Sequence, residues 1–380
     1  MPPKNRPRLL YYCQSLVGIG HLTASLHVIR ELLQHADVDL LYGGHRIDIA
    51  LEDPGFRYTC LPTLLIDDKT GELYDPAHQC TIEQLWTLRA HHIATFLCCP
   101  YDAIIVEFFP FGRRRFKNEI HQLFHQVREK SGAVPIFSFV REVLVPEPPE
   151  AEQRMVQSVN EYIHTVFIRG DPNVIRFDET FSLTDQIAHK ICYLGYLGTA
   201  LPEHRPPRTG QIIVSQGGGS IGRELLEAAV RTAPLLPAYT FLIVTGSKTT
   251  ATEFTHLNAL VSSANVKIVP FLKGFTQHLL ASSLSISMGG DNTLTDVIST
   301  QTPGLAFPYP GNSEQALRIH KLADKGFIHP LTSEDLEPEQ LRAKILETLN
   351  RPYPEVKIML NGAFNMSEKV KFILSNKACH

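Results

Sequence analysis

Residues 285–296 read SISMGGDNTLTD, an apolar run broken by Gly289 and Gly290 and followed at once by Asp291, Asn292, Thr293 and, one residue on, Thr295 and Asp296. Alternation over Leu284–Met288 predicts a short strand, and Leu294, Val297 and Ile298 then recur at helical spacing. The glycines are the hinge between them, with Asn292 or Thr293 as the expected N-cap and Asp296 about one turn inside. A helix start reached over glycines offers backbone N–H groups and the positive end of the helix dipole, which together suit an anion. Two more turns have this form: VGIGH (17–21), with Gly18 and Gly20, and SQGGGSIG (215–222), with Gly217, Gly218, Gly219 and Ser220. Each follows an expected strand and opens an expected helix. Neither is a standard nucleotide fingerprint. Thr23 stands where GxGxxG needs its third glycine, and the second turn lacks the Gly-Lys-Ser/Thr ending of a P-loop. What remains is a diphosphate held by backbone and dipole. In PYPGNSEQALRIH (308–320), Asn312 or Ser313 caps a helix with Glu314 and Gln315 in its first turn. A carboxylate beside an amide suits the vicinal hydroxyls of a ribose or hexose. The alternative is that Glu314 only complements the helix dipole.

The elements that must position these residues alternate. Leu9–Val17 reads as a buried strand and His21–His35 as a helix, followed by strands at Val38–Tyr42, Ala103–Val106, Pro135–Phe139 and His164–Ile168. Helical patterns fall near 81–97 and 116–129. The stretch LGTALPEHRPPRTG (197–210) reads as a linker. Beyond it the pattern restarts: strands at Gln211–Ser215, Phe241–Thr245, Val266–Val269, Leu284–Met288 and Gly304–Pro308, and a final helical segment, Asn365–Asn376. Strand and helix in turn predict an α/β protein with parallel sheets. The expected domains are 1–196, a linker at 197–210, 211–360, and a last helix (361–380), with a cleft between the two halves.

Composition narrows the classes. Across 380 residues, 36 Lys and Arg face 39 Asp and Glu, which argues against a nucleic-acid partner. Seven cysteines, odd in number and without a CxxC pair, read as reduced thiols of a cytoplasmic protein, not as a disulfide framework or zinc site. No stretch approaches the roughly 20 apolar residues of a membrane span.

With GGGSIG, SMGGDNTLTD and the Glu-Gln pair in this order, the chain resembles the GT-B glycosyltransferases, within them glycosyltransferase family 28. YYCQSLVGIGHL, VEFFPFGRRRF (106–116), FSFVREVLV (137–145) and RGDPNVIRFDETF (169–181) look like a bacterial group of predicted glycosyltransferases related to the lipid II-forming N-acetylglucosaminyltransferase. That group usually carries an aromatic residue where Asp291 stands. The resemblance implies two Rossmann-like domains, a nucleotide-sugar donor (usually a uridine diphosphate sugar), an acceptor it does not identify, inversion at the anomeric centre, and no bound metal or resident cofactor. By similarity, Gly217 to Ser220 and Gly289 to Thr293 would surround the diphosphate. Asp296 would bind ribose, Glu314 and Gln315 the donor sugar, and Phe271 falls where the base is received by backbone groups.

Inversion in one displacement needs a base for the acceptor hydroxyl and stabilisation of the departing diphosphate. His21, at the first turn of a helix, titrates near neutrality and is the first candidate base; Glu107, at a strand end, is the competing one. The basic run GRRRFK (112–117), with Arg113 and Arg114, and Arg141 in VREV are candidate contacts for an anionic acceptor, and the run at 113–117 would also let the protein rest on acidic lipid. Two other readings stay open: a sugar-nucleotide epimerase on the same fold, and a non-catalytic partner that binds a nucleotide sugar.

Overall fold

The computed structural model describes residues 6–16, 18–67, 70–217, 222–246 and 248–377, and the chain divides into two compact units. The first comprises the residues up to Pro172, Arg176–Tyr196 and the segment from Gly362; the second comprises Asn173–Ile175 and Leu197–Asn361.

In the first unit the order is β1 (Arg8–Gln14), α1 (Gly20–Leu32), β2 (Asp37–Gly43), β3 (Phe56–Cys60), the short pair β4 (Leu65–Ile66) and β5 (Leu73–Tyr74), α2 (Ile82–Phe96), β6 (Ala103–Glu107), α3 (Lys117–Ser131), β7 (Ile136–Arg141), α4 (Pro149–Tyr162), β8 (Thr165–Arg169) and β9 (Ile191–Tyr193). Seven strands pair in the order β3-β2-β1-β6-β7-β8-β9, all in parallel. Covered on both faces, β1, β2 and β6 are almost wholly buried, so they read as continuous apolar runs instead of alternating ones. The first strand ends at Gln14, short of the expected Val17, which lies outside the described residues. Gln14 is drawn instead into a buried bond with Arg89.

The second unit runs β10 (Gln211–Ser215), α5 (Arg223–Thr232), β11 (Thr240–Val244), α6 (Ala251–Ala259), β12 (Val266–Val269), α7 (Phe275–Ala281), β13 (Leu284–Met288), α8 (Asp291–Ser299), β14 (Gly304–Phe307), α9 (Ser313–Asp324), β15 (Ile328–Pro330) and α10 (Pro338–Asn350). Its strands pair in the order β12-β11-β10-β13-β14-β15, again in parallel. Residues 197–210, expected as a linker, belong to this unit. The last helix, α11 (Gly362–Lys377), belongs to the first unit. It is tied to α1 by Ser367 Oγ donating to the Glu31 carbonyl (2.9 Å) and to the β9 end by Asn365 Nδ2 donating to the Leu194 carbonyl (2.7 Å). Gly362 permits that return, because a Cβ there would stand 2.4 Å from the Gly195 carbonyl oxygen.

In each unit the strand order reverses once, between β1 and β6 and between β10 and β13. At such a point the loops leaving two adjacent strand ends diverge, and the crevice between them is where open parallel sheets hold ligands.

Candidate functional site

The first unit places a histidine and a glutamate at its reversal point. His21 stands in the first turn of α1, just beyond β1, and Glu107 is the last residue of β6. His21 Nδ1 and Glu107 Oε1 are 2.5 Å apart. Burial, with the charges of Arg113 and Arg141, holds the imidazole below its ordinary range, against the pull of Glu107. For Glu107 burial acts upward, but His21, Arg113 and Arg169 outweigh it and hold the carboxylate below the usual value. The pair is therefore a neutral imidazole donating from Nδ1 to a carboxylate, which leaves the Nε2 lone pair as the basic atom.

Phe108 is the hub of this cluster. Its backbone is left-handed (φ 66°), which turns the ring inward. The ring meets His21 edge-on at 5.7 Å and carries the guanidinium carbons of Arg141 at 5.1 Å and Arg113 at 5.5 Å. Gly112 clears the space, since a Cβ there would lie 2.2 Å from the ring. Arg113 is also left-handed (φ 61°), and its Nη2 lies 3.5 Å from Glu107 Oε2. The residues of the basic run point to different places. Arg113 turns inward, Arg114 pairs with Glu147 at 2.8 Å, and Arg115 and Lys117 are exposed.

In the second unit the residues at the reversal point come from three turns. Gly217 follows β10 with φ 78°, and a Cβ on Gly246 would sit 2.6 Å from its carbonyl oxygen, so two backbones meet where only glycine fits. Gly289 lies against α9: a Cβ there would come within 2.5 Å of Ile319 Cδ1 and 3.2 Å of Gln315 Cβ. The expected N-cap of α8 is corrected. The cap is Gly290, two residues before the earlier of the expected caps, and Asp291, Asn292 and Thr293 are already helical, next to the close packing at Gly289. The helices that open from the three glycine turns, α1, α5 and α8, start without a side-chain cap, as do α3, α4, α7 and α10, whereas Thr81, Thr250 and Asn312 cap α2, α6 and α9. An uncapped start keeps its dipole end for an incoming anion.

Asn312 caps α9 as expected, accepting from the Gln315 N–H at 3.0 Å, and the Gln315 side-chain oxygen accepts from the Tyr309 N–H at 2.9 Å. Glu314 precedes it in the same turn. Asp296, in the second turn of α8, has its carboxyl pushed up to about 7 by burial and then by Asp291. Asp291 itself lies 3.8 Å from the Nε of Arg318, a buried residue of α9. Phe271 is 70 % exposed, beyond the end of the edge strand β12. Gly18 and Gly20 fall in the first unit, at the start of α1, whereas the other expected donor residues among those described belong to the second. Gly218, Gly219 and Ser220 lie outside the described residues. Among the described residues, no group of three His, Cys, Asp or Glu side chains is gathered as a metal would need, and no helix is long and apolar enough to cross a membrane.

The raised Asp296 carboxyl makes a testable statement about stability. A group whose pKa is higher folded than unfolded costs stability as pH rises from about 4 to about 7, and the full cost stands above that range, at most roughly 4 kcal/mol at about 1.4 kcal/mol per unit and less for a partly exposed group. Asp296→Asn should therefore raise the melting temperature at about pH 8 and leave it nearly unchanged at about pH 4. Equal effects at both pH values would show that the carboxyl is not strained.

Residues 213–367 match the model of the glycosyltransferase family 28 C-terminal domain. A UDP-N-acetylglucosamine--N-acetylmuramyl-(pentapeptide) pyrophosphoryl-undecaprenol N-acetylglucosamine transferase of Gloeothece citriformis is 35% identical over 86 residues, 22% of this chain and 24% of that protein. An uncharacterized glycosyltransferase of Methanopyrus kandleri is 19% identical over 227 residues, 55% of this chain and 62% of that protein. The chain thus matches between about a quarter and three fifths of the length of these curated relatives. Among solved structures, LpCGTa in complex with UDP superposes with a TM-score of 0.60 at 14% identity, covering 97% of this chain and 94% of that one. By its two parallel-sheet units and this likeness the chain has the GT-B fold, and its residues 213–367 are similar to the glycosyltransferase family 28 C-terminal domain.

Proposed function

We propose that the protein is an inverting glycosyltransferase that moves a sugar from a nucleotide diphosphate sugar, a UDP-sugar, to an acceptor hydroxyl, without metal or resident cofactor. The observation that carries this reading is the His21–Glu107 pair, 2.5 Å apart at the strand ends of the first unit. Glu107 fixes the tautomer and orientation of the imidazole; His21 Nε2 takes the acceptor proton as the acceptor oxygen forms its bond to the anomeric carbon. The bond from that carbon to the diphosphate breaks on the opposite face, and its electron pair leaves with the diphosphate. The uncapped starts of α5 and α8 supply dipole and N–H stabilisation for that charge. His21 and Glu107, two competing bases when read along the chain, are in this reading one base and its orienting partner.

Asp296, Glu314 and Gln315 are assigned to the ribose and sugar hydroxyls of the donor. The epimerase and non-catalytic readings are less well supported, since the matches are to glycosyltransferases and the oriented imidazole is what a transfer requires. A cytoplasmic location is the companion proposal, supported by the cysteines among the described residues, which are free. Contact with a lipid surface would fall to Arg115 and Lys117 alone.

Calorimetric titration with UDP in the presence of a chelator tests the donor half. UDP binding is expected in the wild type and at least about tenfold weaker in Asp296→Ala, and the same loss is expected for a UDP-sugar in Glu314→Ala, the loss of one or two hydrogen bonds to a charged group. Absence of UDP binding would make the glycine turns architecture and overturn the reading.

A further inference from the structure

Arg113 is a buried guanidinium with hydrogen-bonding capacity to spare. Its side chain is 9 % exposed, and its Nε and Nη2 have no hydrogen-bond acceptor among the described residues. Glu107 Oε2 lies 3.5 Å from Nη2 as an ion-pair partner, with no hydrogen bond of its own, while Oε1 meets His21, so it is Nε that faces no partner at all among the described residues. Buried N–H groups of a cation are costly to leave unsatisfied, and a second cation stands beside them: Arg113 and Arg141 both lie within 5.5 Å of the Phe108 ring centroid. Arg169 adjoins Arg141 in register at the end of β8. The neighbouring carboxylates, Glu142 and Asp171, are buried at 0 and 1 % exposure, whereas Arg141 and Arg169 are partly exposed.

We propose that these arginines receive an oxyanion carried by the acceptor, a phosphate or a carboxylate, held chiefly by Arg113 and Arg141 with Phe108 as their common support and Arg169 at the margin. This rests on the transferase reading and adds the chemical class of the acceptor. A guanidinium presents a planar fork that matches either oxyanion in bidentate fashion, and the ring beneath two of them fixes their planes without supplying an acceptor of its own. Because the same ring touches His21, an anion held there would bring the acceptor beside the imidazole that removes its proton. Arg114, paired with Glu147, takes no part.

The test uses the whole protein saturated with UDP, so that the donor phosphate site is filled, and titrates inorganic phosphate or acetate by calorimetry. The two arms separate the two kinds of oxyanion. At least one should bind, about tenfold more weakly or worse in Arg113→Gln and Arg141→Gln, and unchanged in Arg114→Gln. Arg141 is partly exposed, so Arg141→Gln carries the test if the Arg113 variant fails to fold. Absence of binding by both anions, or binding that survives in Arg141→Gln, overturns the proposal. Whether UDP itself binds is read first in the same cell, so failure of the donor reading shows separately.

Discussion

His21→Ala is expected to lower turnover by about two orders of magnitude or more while leaving UDP affinity unchanged, because general-base catalysis contributes roughly 10²–10⁴ and Asp296, the residue proposed for the ribose, lies in the other unit. The pH profile carries further information. Only the neutral imidazole accepts a proton, and burial holds the His21 pKa below the ordinary value. Activity should therefore persist as pH falls past the usual imidazole range and drop only below it. Glu107→Gln removes the group that both orients the ring and pulls its pKa upward. Turnover should fall by about one to two orders of magnitude, and the acid limb of the profile should move to still lower pH. A variant with unchanged turnover would remove His21 as the base. A Glu107→Gln profile that moves toward higher pH would contradict the assigned protonation state.

The largest expected loss of stability lies behind the same sheet. Arg89 is fully buried, and its donors are met by Glu119 Oε2 (2.7 Å from Nε), Glu119 Oε1 and Gln14 Oε1 (each 2.8 Å from Nη2) and the Pro62 carbonyl (2.8 Å from Nη1). Tyr12 donates to Glu119 Oε1 at 2.6 Å. Removing the carboxylate in Glu119→Ala leaves a desolvated cation, which should cost about 3–5 kcal/mol. For a unit of this size, that is a fall of roughly 10 °C in melting temperature. Replacing both partners with apolar residues, Arg89→Met with Glu119→Leu, should recover much of the loss. Tyr12→Phe should cost only about 1 kcal/mol, one hydrogen bond. Thermal unfolding of the four proteins decides the matter: if the double variant were as unstable as Glu119→Ala, an unpaired charge would not be the cause.

Much of the fold was legible because its strands are buried on both faces and its turns carry glycine. Gln211–Ser215, Val266–Val269 and Leu284–Met288 are strands over the same residues that their apolar runs mark. Strand β3, FRYTC, escaped notice because it is a half-buried edge strand with little apolar contrast. Helix α4 hid behind its charge, although Pro149 at its start and Ala151, Met155, Val156 and Val159 on its buried face were a readable signal. At the site, His21 and Glu107 were each visible, but their union was not. They are 86 residues apart in the chain, and only the pairing of β1 with β6 brings them together. Phe108 looked like one aromatic among several, since nothing in FFPF announces a left-handed residue. The register of β7 with β8, which sets Arg169 beside Arg141, is a tertiary fact.

The return of α11 to the first unit has a consequence for how the protein is made. Synthesis proceeds from the amino end, so the whole of the second unit leaves the ribosome before Gly362 appears. Until then the surface of α1 that receives α11, including the carbonyl of Glu31, has no cover, and Met366 and Val370, fully buried once the helix docks, have not been made. The half of the chain synthesised first is therefore the half completed last. The amino-terminal unit must persist unfinished while its neighbour folds, which makes it the natural client of chaperones that bind nascent chains.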